Sequence, residues 1–151
     1  MEIDQPATSA VKARGVALEG PPENMIQIPA DLGENALSKV LSQEGPWDCE
    51  RLSTVVAEGL FQYLSDSEVR ALLRETAACT PPGSRLVFTH AIPGQRRMVS
   101  LLTRLIGEPW RSGVRSENLP DYVHGTGWKI VSEPDTDPAH GVERYAVAER
   151  W

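Results

Sequence analysis

Three acidic residues follow short apolar runs along the chain, and their spacing points to a shared binding chemistry. Asp4, Asp31 and Glu58 each stand where a predicted strand ends. Ligands of open parallel sheets bind outside the carboxyl ends of the strands, so we expect the three side chains to share one crevice. Carboxylates accept hydrogen bonds and attract cations. The plainer interpretations are that Asp4 caps a helix, Asp31 is a loop residue or a cap, and Glu58 only faces water.

The region around Glu58 predicts a strand, a helix and a second strand. Val55 to Ala57 is apolar on both faces, which is typical of a buried parallel strand. Ser65 and Glu68 fit a capping box that begins a helix. Residues 85–90 form the next apolar run, so the three elements predict a right-handed βαβ unit. The apolar face of the helix comprises Val69, Leu72, Leu73, Thr76 and Ala77.

The remaining patterns predict further helices and strands of an α/β protein. Glu2 to Asp4 looks like the end of a strand, and the helix after it has an apolar face of Ala7, Ala10, Val11 and Leu18. Of the other predicted strands, one begins at residue 25 and ends before or at Pro29, and two cover residues 128–133 and 142–148 and form an antiparallel pair. Apolar spacing predicts helices around Leu37, Val40 and Leu41, around Met98, Leu101, Leu102 and Leu105, and within residues 116–125.

The composition of the chain disfavours several classes of binding partner. The 151 residues can form one domain with a real core, and the net charge of −6 gives no basic field for nucleic acid or an anionic membrane. No apolar run approaches the ~20 residues that span a bilayer. Cys49 and Cys79 form no C-x-x-C pair, so we expect no metal site, and isolated thiols favour the cytoplasm.

His90 is the one histidine with a position that suits chemistry. It follows a predicted strand and has a side chain that can act as a general base near neutral pH. The alternative is a histidine at a strand end or in a substrate loop, because no partner acid is placed beside it by the sequence. The sequence shows no nucleophilic serine or cysteine constellation.

Four segments resemble motifs of the leucine carboxyl methyltransferase-like enzymes, which are class I S-adenosylmethionine-dependent methyltransferases. Residues 2–12 resemble their E-x-D-x-P-x-x-x-x-x-K stretch, and residues 29–32 look like the loop after their third strand. Residues 57–64 are similar to their A-E-G-x-x-x-Y-L motif. Residues 82–88 resemble their G-S-x-[LV]-V-F strand, so the resemblance covers the chain from its first residue to about residue 90.

The resemblance implies a fold, a cofactor and roles for individual residues. The fold is Rossmann-like, an α/β class I methyltransferase fold with a mostly parallel sheet and a C-terminal antiparallel strand. The cofactor is S-adenosyl-L-methionine, and the acid that binds its ribose in the family corresponds to Asp4. Asp31 and Leu32 correspond to the pair beside the adenine. Glu58 would face the methionine end, and Tyr63 would line the pocket near it.

The chain departs from the family at its beginning. It has no glycine-rich loop of the G-x-G-x-x-G type, and its numbering starts inside the family's second strand. We expect residues 1–151 to form a single incomplete domain, truncated at the N-terminus by a shortened gene, a mis-assigned start or decay. The family's first strand lies between the second and fourth, so its absence would leave residues 54–57 with an unpaired apolar edge that favours self-association.

The expected function is methyl transfer from S-adenosyl-L-methionine to a carboxylate or hydroxyl oxygen of a small molecule. The alternative is a catalytically inactive remnant that acts as a binding or dimerisation module. A nicotinamide-binding Rossmann domain is disfavoured, because its glycine fingerprint is missing from the sequence.

Overall fold

The computed structural model describes residues 1–20, 22–44, 46–92, 110–132 and 143–151. They fall into two compact units, Met1–Asp48 and Cys49–Trp151. The first unit contains a two-stranded sheet and the second a four-stranded sheet. Within the described ranges, no helix combines the length and the apolar character that crossing a membrane requires.

The first unit is built from two strands and two helices. They are β1 (Glu2–Asp4), α1 (Pro6–Glu19), β2 (Gln27–Pro29) and α2 (Leu37–Glu44). The two strands are parallel, with Asp4 opposite Pro29, so their carboxyl ends lie at the same edge of the sheet. Ile28 and one face of α2 are buried. The predicted strand, helix, strand and helix are therefore present in this order.

Two expectations about α1 are wrong. Gln5, not Asp4, occupies the N-cap position, because α1 begins at Pro6 and the Gln5 carbonyl accepts from the Ser9 N–H. The predicted apolar face of α1 is not buried, since Val11 is 66% exposed and Leu18 is 89% exposed. Half of that face is alanine, whose methyl group contributes little apolar area to a core.

The second unit is built around a mixed sheet. Its elements are β3 (Thr54–Ala57), a 3-10 helix (Phe61–Tyr63), α3 (Asp66–Ala78), β4 (Arg85–Ala91), a 3-10 helix (Ser116–Asn118), α4 (Leu119–Val123), β5 (Trp128–Ser132) and β6 (Glu143–Arg150). The strand order is β3-β4-β6-β5, in which β3 and β4 are parallel and β6 is antiparallel to both neighbours. The predicted α/β fold, with parallel pairing and a late antiparallel pair, is confirmed.

Helix α3 packs on this sheet as the sequence predicts. The capping box is present, since Ser65 Oγ accepts from the Glu68 N–H and Glu68 Oε2 accepts from the Ser65 N–H. Val69 and Leu73 are buried in the core with residues of every strand of the sheet. The core includes Phe61, Leu86, Phe88, Trp128, Ala146 and Ala148. The burial of this apolar face holds α3 against the sheet.

Strand β3 differs from its prediction as a strand buried on both faces. Val56 is 63% exposed. In the part of the chain that the structure describes, β3 has one hydrogen-bonded neighbour, β4, and is therefore an edge strand. Val55 and Ala57 pack against the core on one face of the sheet, and the side chain of Val56 lies on the opposite face, where it stays exposed. The helix predicted around Met98 to Leu105 lies outside the described residues.

Candidate functional site

In the first unit, Asp4 is held by a lysine that it shares with a second acid. Lys12 Nζ lies 2.7 Å from Asp4 Oδ2 and 2.7 Å from Glu2 Oε1. Glu2 and Asp4 are two residues apart on β1 and project to the same face, while α1 carries Lys12 back over them. The Gln27 amide donates to the other oxygen of Glu2 at 3.1 Å. Asp4 therefore sits in a network of fixed geometry at the end of its strand.

The charges of this network perturb the pKa values of two of its members. Hydrogen bonds to Asp4 and Glu2 raise the pKa of Lys12. Hydrogen bonds from Lys12 and then from Gln27 lower the pKa of Glu2. Both shifts favour the charged forms, so the ion pairs persist across the neutral range.

Asp31 lies in the turn that follows β2. Its Oδ1 accepts from the Gly33 N–H at 2.8 Å, and its backbone carbonyl accepts from the N–H groups of Glu34 and Asn35. Helix α2 begins only at Leu37, so Asp31 is a loop residue and not a helix cap. The neighbouring Leu32 is partly buried. Since β1 and β2 are parallel, Asp31 follows the same sheet edge at which Asp4 ends β1.

In the second unit, Glu58 directly follows β3, and residues of β4 and β6 hold its turn and its side chain. Gly59 has a φ of 63°, a left-handed conformation that glycine adopts without strain. Its N–H donates to Thr89 Oγ1 on β4 at 2.8 Å. The Tyr145 hydroxyl on β6 donates to Glu58 Oε1 at 2.6 Å. Thr89 and Tyr145 are directly opposed across the β4–β6 pair, so adjacent side chains hold the turn and the carboxylate.

A narrow pocket lies beside this turn. Gln62 and His90 are both 2% exposed, and they line the pocket together with Phe61, Phe88 and Ser112. Gln62 Nε2 donates to Glu143 Oε1 at 2.9 Å, and Gln62 Oε1 has no hydrogen-bond partner in the described residues. His90 Nδ1 lies 2.9 Å from the Val114 carbonyl. A carbonyl only accepts, so Nδ1 carries the proton in this contact.

The structure shows where the two residues predicted to line the substrate pocket lie in the fold. His90 does not follow its strand but lies within β4, which extends to Ala91. Tyr63 is partly buried at the end of the 3-10 helix. The roles of both residues in substrate binding stay predictions, as does the crevice shared by the three acids.

Sequence reasoning missed the side chains that hold the acids. Lys12 belongs to one of the family motifs, but the sequence assigned it no role. Its position in the helix that follows an acidic strand could have indicated its contact with the acids. Tyr145 lies 87 residues from Glu58, and only the pairing of β6 with β4 brings the two together. Gln62 carried no signal, because its burial depends on the same pairing.

The donor and acceptor chemistry of these residues fits S-adenosyl-L-methionine. Ribose hydroxyls and the adenine amino group are donors, and the carboxylates of Asp4 and Asp31 retain acceptor sites beyond those already used. Glu58 is exposed and meets a neutral donor, so its charge is available to a cationic group. Among the described residues, no group of three or more histidine, cysteine, aspartate or glutamate side chains could hold a metal ion.

The chain is similar to known methyltransferases in sequence. The profile of the family described as leucine carboxyl methyltransferase matches residues 1–77. A relative from Mycobacterium avium is 31% identical over 147 residues and is named as an S-adenosyl-L-methionine-dependent methyltransferase. The match covers 88% of this chain and 47% of the relative. A Mycobacterium tuberculosis relative with a name of the same type is 28% identical, with coverage of 86% and 47%. The chain therefore spans about half the length of the curated relatives it matches.

Solved structures share the fold at low sequence identity. Mitomycin 7-O-methyltransferase superposes with a TM-score of 0.69 at 17% identity, covering 99% of this chain and 41% of that enzyme. Magnesium protoporphyrin IX methyltransferase from Synechocystis, solved with S-adenosylhomocysteine, gives a TM-score of 0.58 at 13% identity, with coverage of 93% and 57%. These likenesses establish the class I methyltransferase fold.

Proposed function

The chain belongs to the leucine carboxyl methyltransferase family, and we propose that it binds S-adenosyl-L-methionine and takes part in methyl transfer to an oxygen of a small molecule. The observation that carries the proposal is the position of Glu58. The acid of the A-E-G motif directly follows the parallel strand β3, at the edge where sheets of this type bind ligands. The proposal treats the two units as parts of one methyltransferase domain.

The proposed roles follow the chemistry of each side chain. Asp4 accepts hydrogen bonds from the ribose hydroxyls, and Asp31 and Leu32 lie against the adenine. Glu58 faces the cationic methionine end, where a carboxylate lowers the energy of the bound cation. Tyr63 and His90 belong to the pocket of the methyl acceptor.

An oxygen acceptor agrees with the description of the family, whose name refers to a carboxyl group. When bound, S-adenosyl-L-methionine supplies an activated methyl group. A carboxylate acceptor has no proton to lose, so the residues of the site would act by holding it in line with the methyl group. A hydroxyl acceptor would have to lose its proton, and His90 is a residue of a type that can accept one near neutral pH. Cys49 and Cys79 are thiols that are not joined in a disulfide, which supports a cytoplasmic location for this activity.

Calorimetric titration of the 151-residue chain with S-adenosyl-L-methionine tests the proposal. We expect weak binding, because the sequence has no glycine-rich loop to donate backbone N–H groups to the cofactor. A second chain, extended upstream by a strand and a glycine-rich loop from a family member, should bind more tightly. If neither chain binds the cofactor, the proposal is wrong.

Within the described ranges β3 pairs on one side, with β4, and this edge favours a second candidate function, a module that self-associates. Val56 on this strand is 63% exposed and the preceding Leu52 is 68% exposed. An apolar edge with unpaired backbone groups can pair with another chain. Light scattering should show concentration-dependent association that Val56→Lys reduces. Val131→Lys, on the edge strand β5 at the other side of the sheet, is the matched control, and a monomer at all concentrations would contradict this candidate.

A further inference from the structure

The contact between Tyr145 and Glu58 joins β6 to the turn after β3. We propose that Tyr145 is a positioning residue for Glu58, which holds the carboxylate toward the cationic methionine end of S-adenosyl-L-methionine. This inference rests on the proposed function, because that function assigns the ligand of Glu58. Neither the sequence motifs nor the family resemblance assigns a role to Tyr145.

The geometry shows why Glu58 needs such a partner. Its side chain is exposed and, left alone, would distribute over several rotamers. The backbone of the turn is already fixed, since the Gly59 N–H donates to the buried Thr89 hydroxyl. The remaining freedom lies in the side chain, and the 2.6 Å bond from Tyr145 removes it. A carboxylate that is ordered before binding loses less conformational entropy when the ligand arrives.

The chemistry of the donor also matters. A lysine or arginine at this position would order Glu58 but compensate its charge, whereas a phenol orders the carboxylate and leaves the charge for the ligand. The hydrogen bond to Glu58, the charge of Glu58, slight desolvation and the charge of Glu143 together raise the pKa of Tyr145. The phenol therefore keeps its proton, and remains a donor, throughout the neutral range.

A double-mutant cycle on the full 151-residue chain tests the inference. Calorimetry would compare S-adenosyl-L-methionine binding by the wild type, Tyr145→Phe, Glu58→Ala and the double variant. We expect Tyr145→Phe to weaken binding about 3- to 10-fold, the range of one ordinary hydrogen bond. In the Glu58→Ala background the same change should have less than about a 2-fold effect, because the carboxylate it positions is gone.

Ser53→Ala is the control. It removes a side-chain hydroxyl hydrogen bond in the second unit, from Ser53 Oγ to the Arg51 carbonyl at 2.9 Å, and Ser53 does not line the pocket. We expect this variant to leave cofactor affinity unchanged. Thermal unfolding of each variant would show whether a loss of affinity comes from a loss of folded protein.

A spectroscopic readout is independent of ligand binding. Titration of the tyrosinate absorbance should show that Glu58→Ala lowers the pKa of Tyr145 toward the ordinary value of about 10. An unchanged titration would mean that the contact does not exist in solution, and the inference would be overturned.

The outcomes separate the inference from the proposed function. If Glu58→Ala weakens binding and Tyr145→Phe does not, Tyr145 has no positioning role, but the assignment of Glu58 stands. Equal losses for Tyr145→Phe in both backgrounds would also overturn the inference, because the tyrosine would then act without Glu58. If the wild-type chain and its extended form bind no cofactor, the proposed function itself fails.

Discussion

The two sheets end in acids with similar positions and different partners. Asp4 at the end of β1 contacts Lys12, a cation that it shares with Glu2. Glu58 after β3 contacts a phenol, the uncharged side chain of Tyr145. Both carboxylates are therefore held in place, but among the residues that the structure describes a positive charge contacts the first and not the second.

Under the proposed function, this difference suits the same residue type to two kinds of ligand group. A carboxylate beside an ammonium group can still accept hydrogen bonds, which suits neutral hydroxyls such as those of ribose. A carboxylate beside a phenol presents its negative charge, which suits a cation. The partner of each acid, more than the acid itself, distinguishes the adenosine half of the proposed ligand from its methionine half.

The largest expected effect comes from removing Glu58. Glu58→Ala should weaken S-adenosyl-L-methionine binding by about 1–3 kcal/mol, the cost of losing a charged hydrogen-bond partner. Glu58→Gln keeps the shape and removes the charge, so it should weaken S-adenosyl-L-methionine more than S-adenosylhomocysteine, which lacks the charged sulfur. Calorimetry with both ligands measures the difference. Glu117→Ala, an exposed acid paired with Arg115, is the control, and unchanged affinity in Glu58→Ala would make Glu58 only a strand-end acid.

A smaller effect on binding, equal for the two ligands, is expected at Asp4. Asp4→Asn keeps an acceptor oxygen and should weaken both ligands equally, by about 1 kcal/mol, since they share the adenosine half. Competition binding with S-adenosyl-L-methionine and S-adenosylhomocysteine gives the comparison. A loss confined to S-adenosyl-L-methionine would show that Asp4 senses the sulfonium charge, and the distinction between the two acids would be wrong.

The sequence predicted the elements of the fold better than it predicted the partners of the site residues. The capping box of α3 and the strand at β4 follow from residues close together in the chain, so local patterns were sufficient. The burial of β3 was predicted wrongly, because its apolar sequence does not show which faces of the sheet are covered, and Val56 lies on an exposed face. The contact of Tyr145 with Glu58 depends on the order of β6 and β4 in the sheet, which no local pattern reports.

The smallest expected effect concerns the ion pairs of Lys12. Its dependence on pH tests whether Lys12 contacts the acids of β1 through its charge. Lys12, Glu2 and Asp4 have side chains that are 44%, 35% and 29% exposed, so solvent screens the pairs and Lys12→Met should cost only about 0.5–1 kcal/mol of unfolding free energy.

The pKa of Glu2 is lowered in the folded chain from its ordinary 4.5, so the stability that its ion pair contributes is present above that pH and is lost as the pH falls through the folded value. The pKa of Lys12 is raised from 10.5, so its contribution is present below that pH and is lost as the pH rises through the folded value. Urea unfolding of the wild type and Lys12→Met should therefore differ by a constant amount in the neutral range and converge in acid. A wild-type advantage that persists well below the ordinary carboxyl range would mean that Lys12 stabilises α1 by packing and not by its charge.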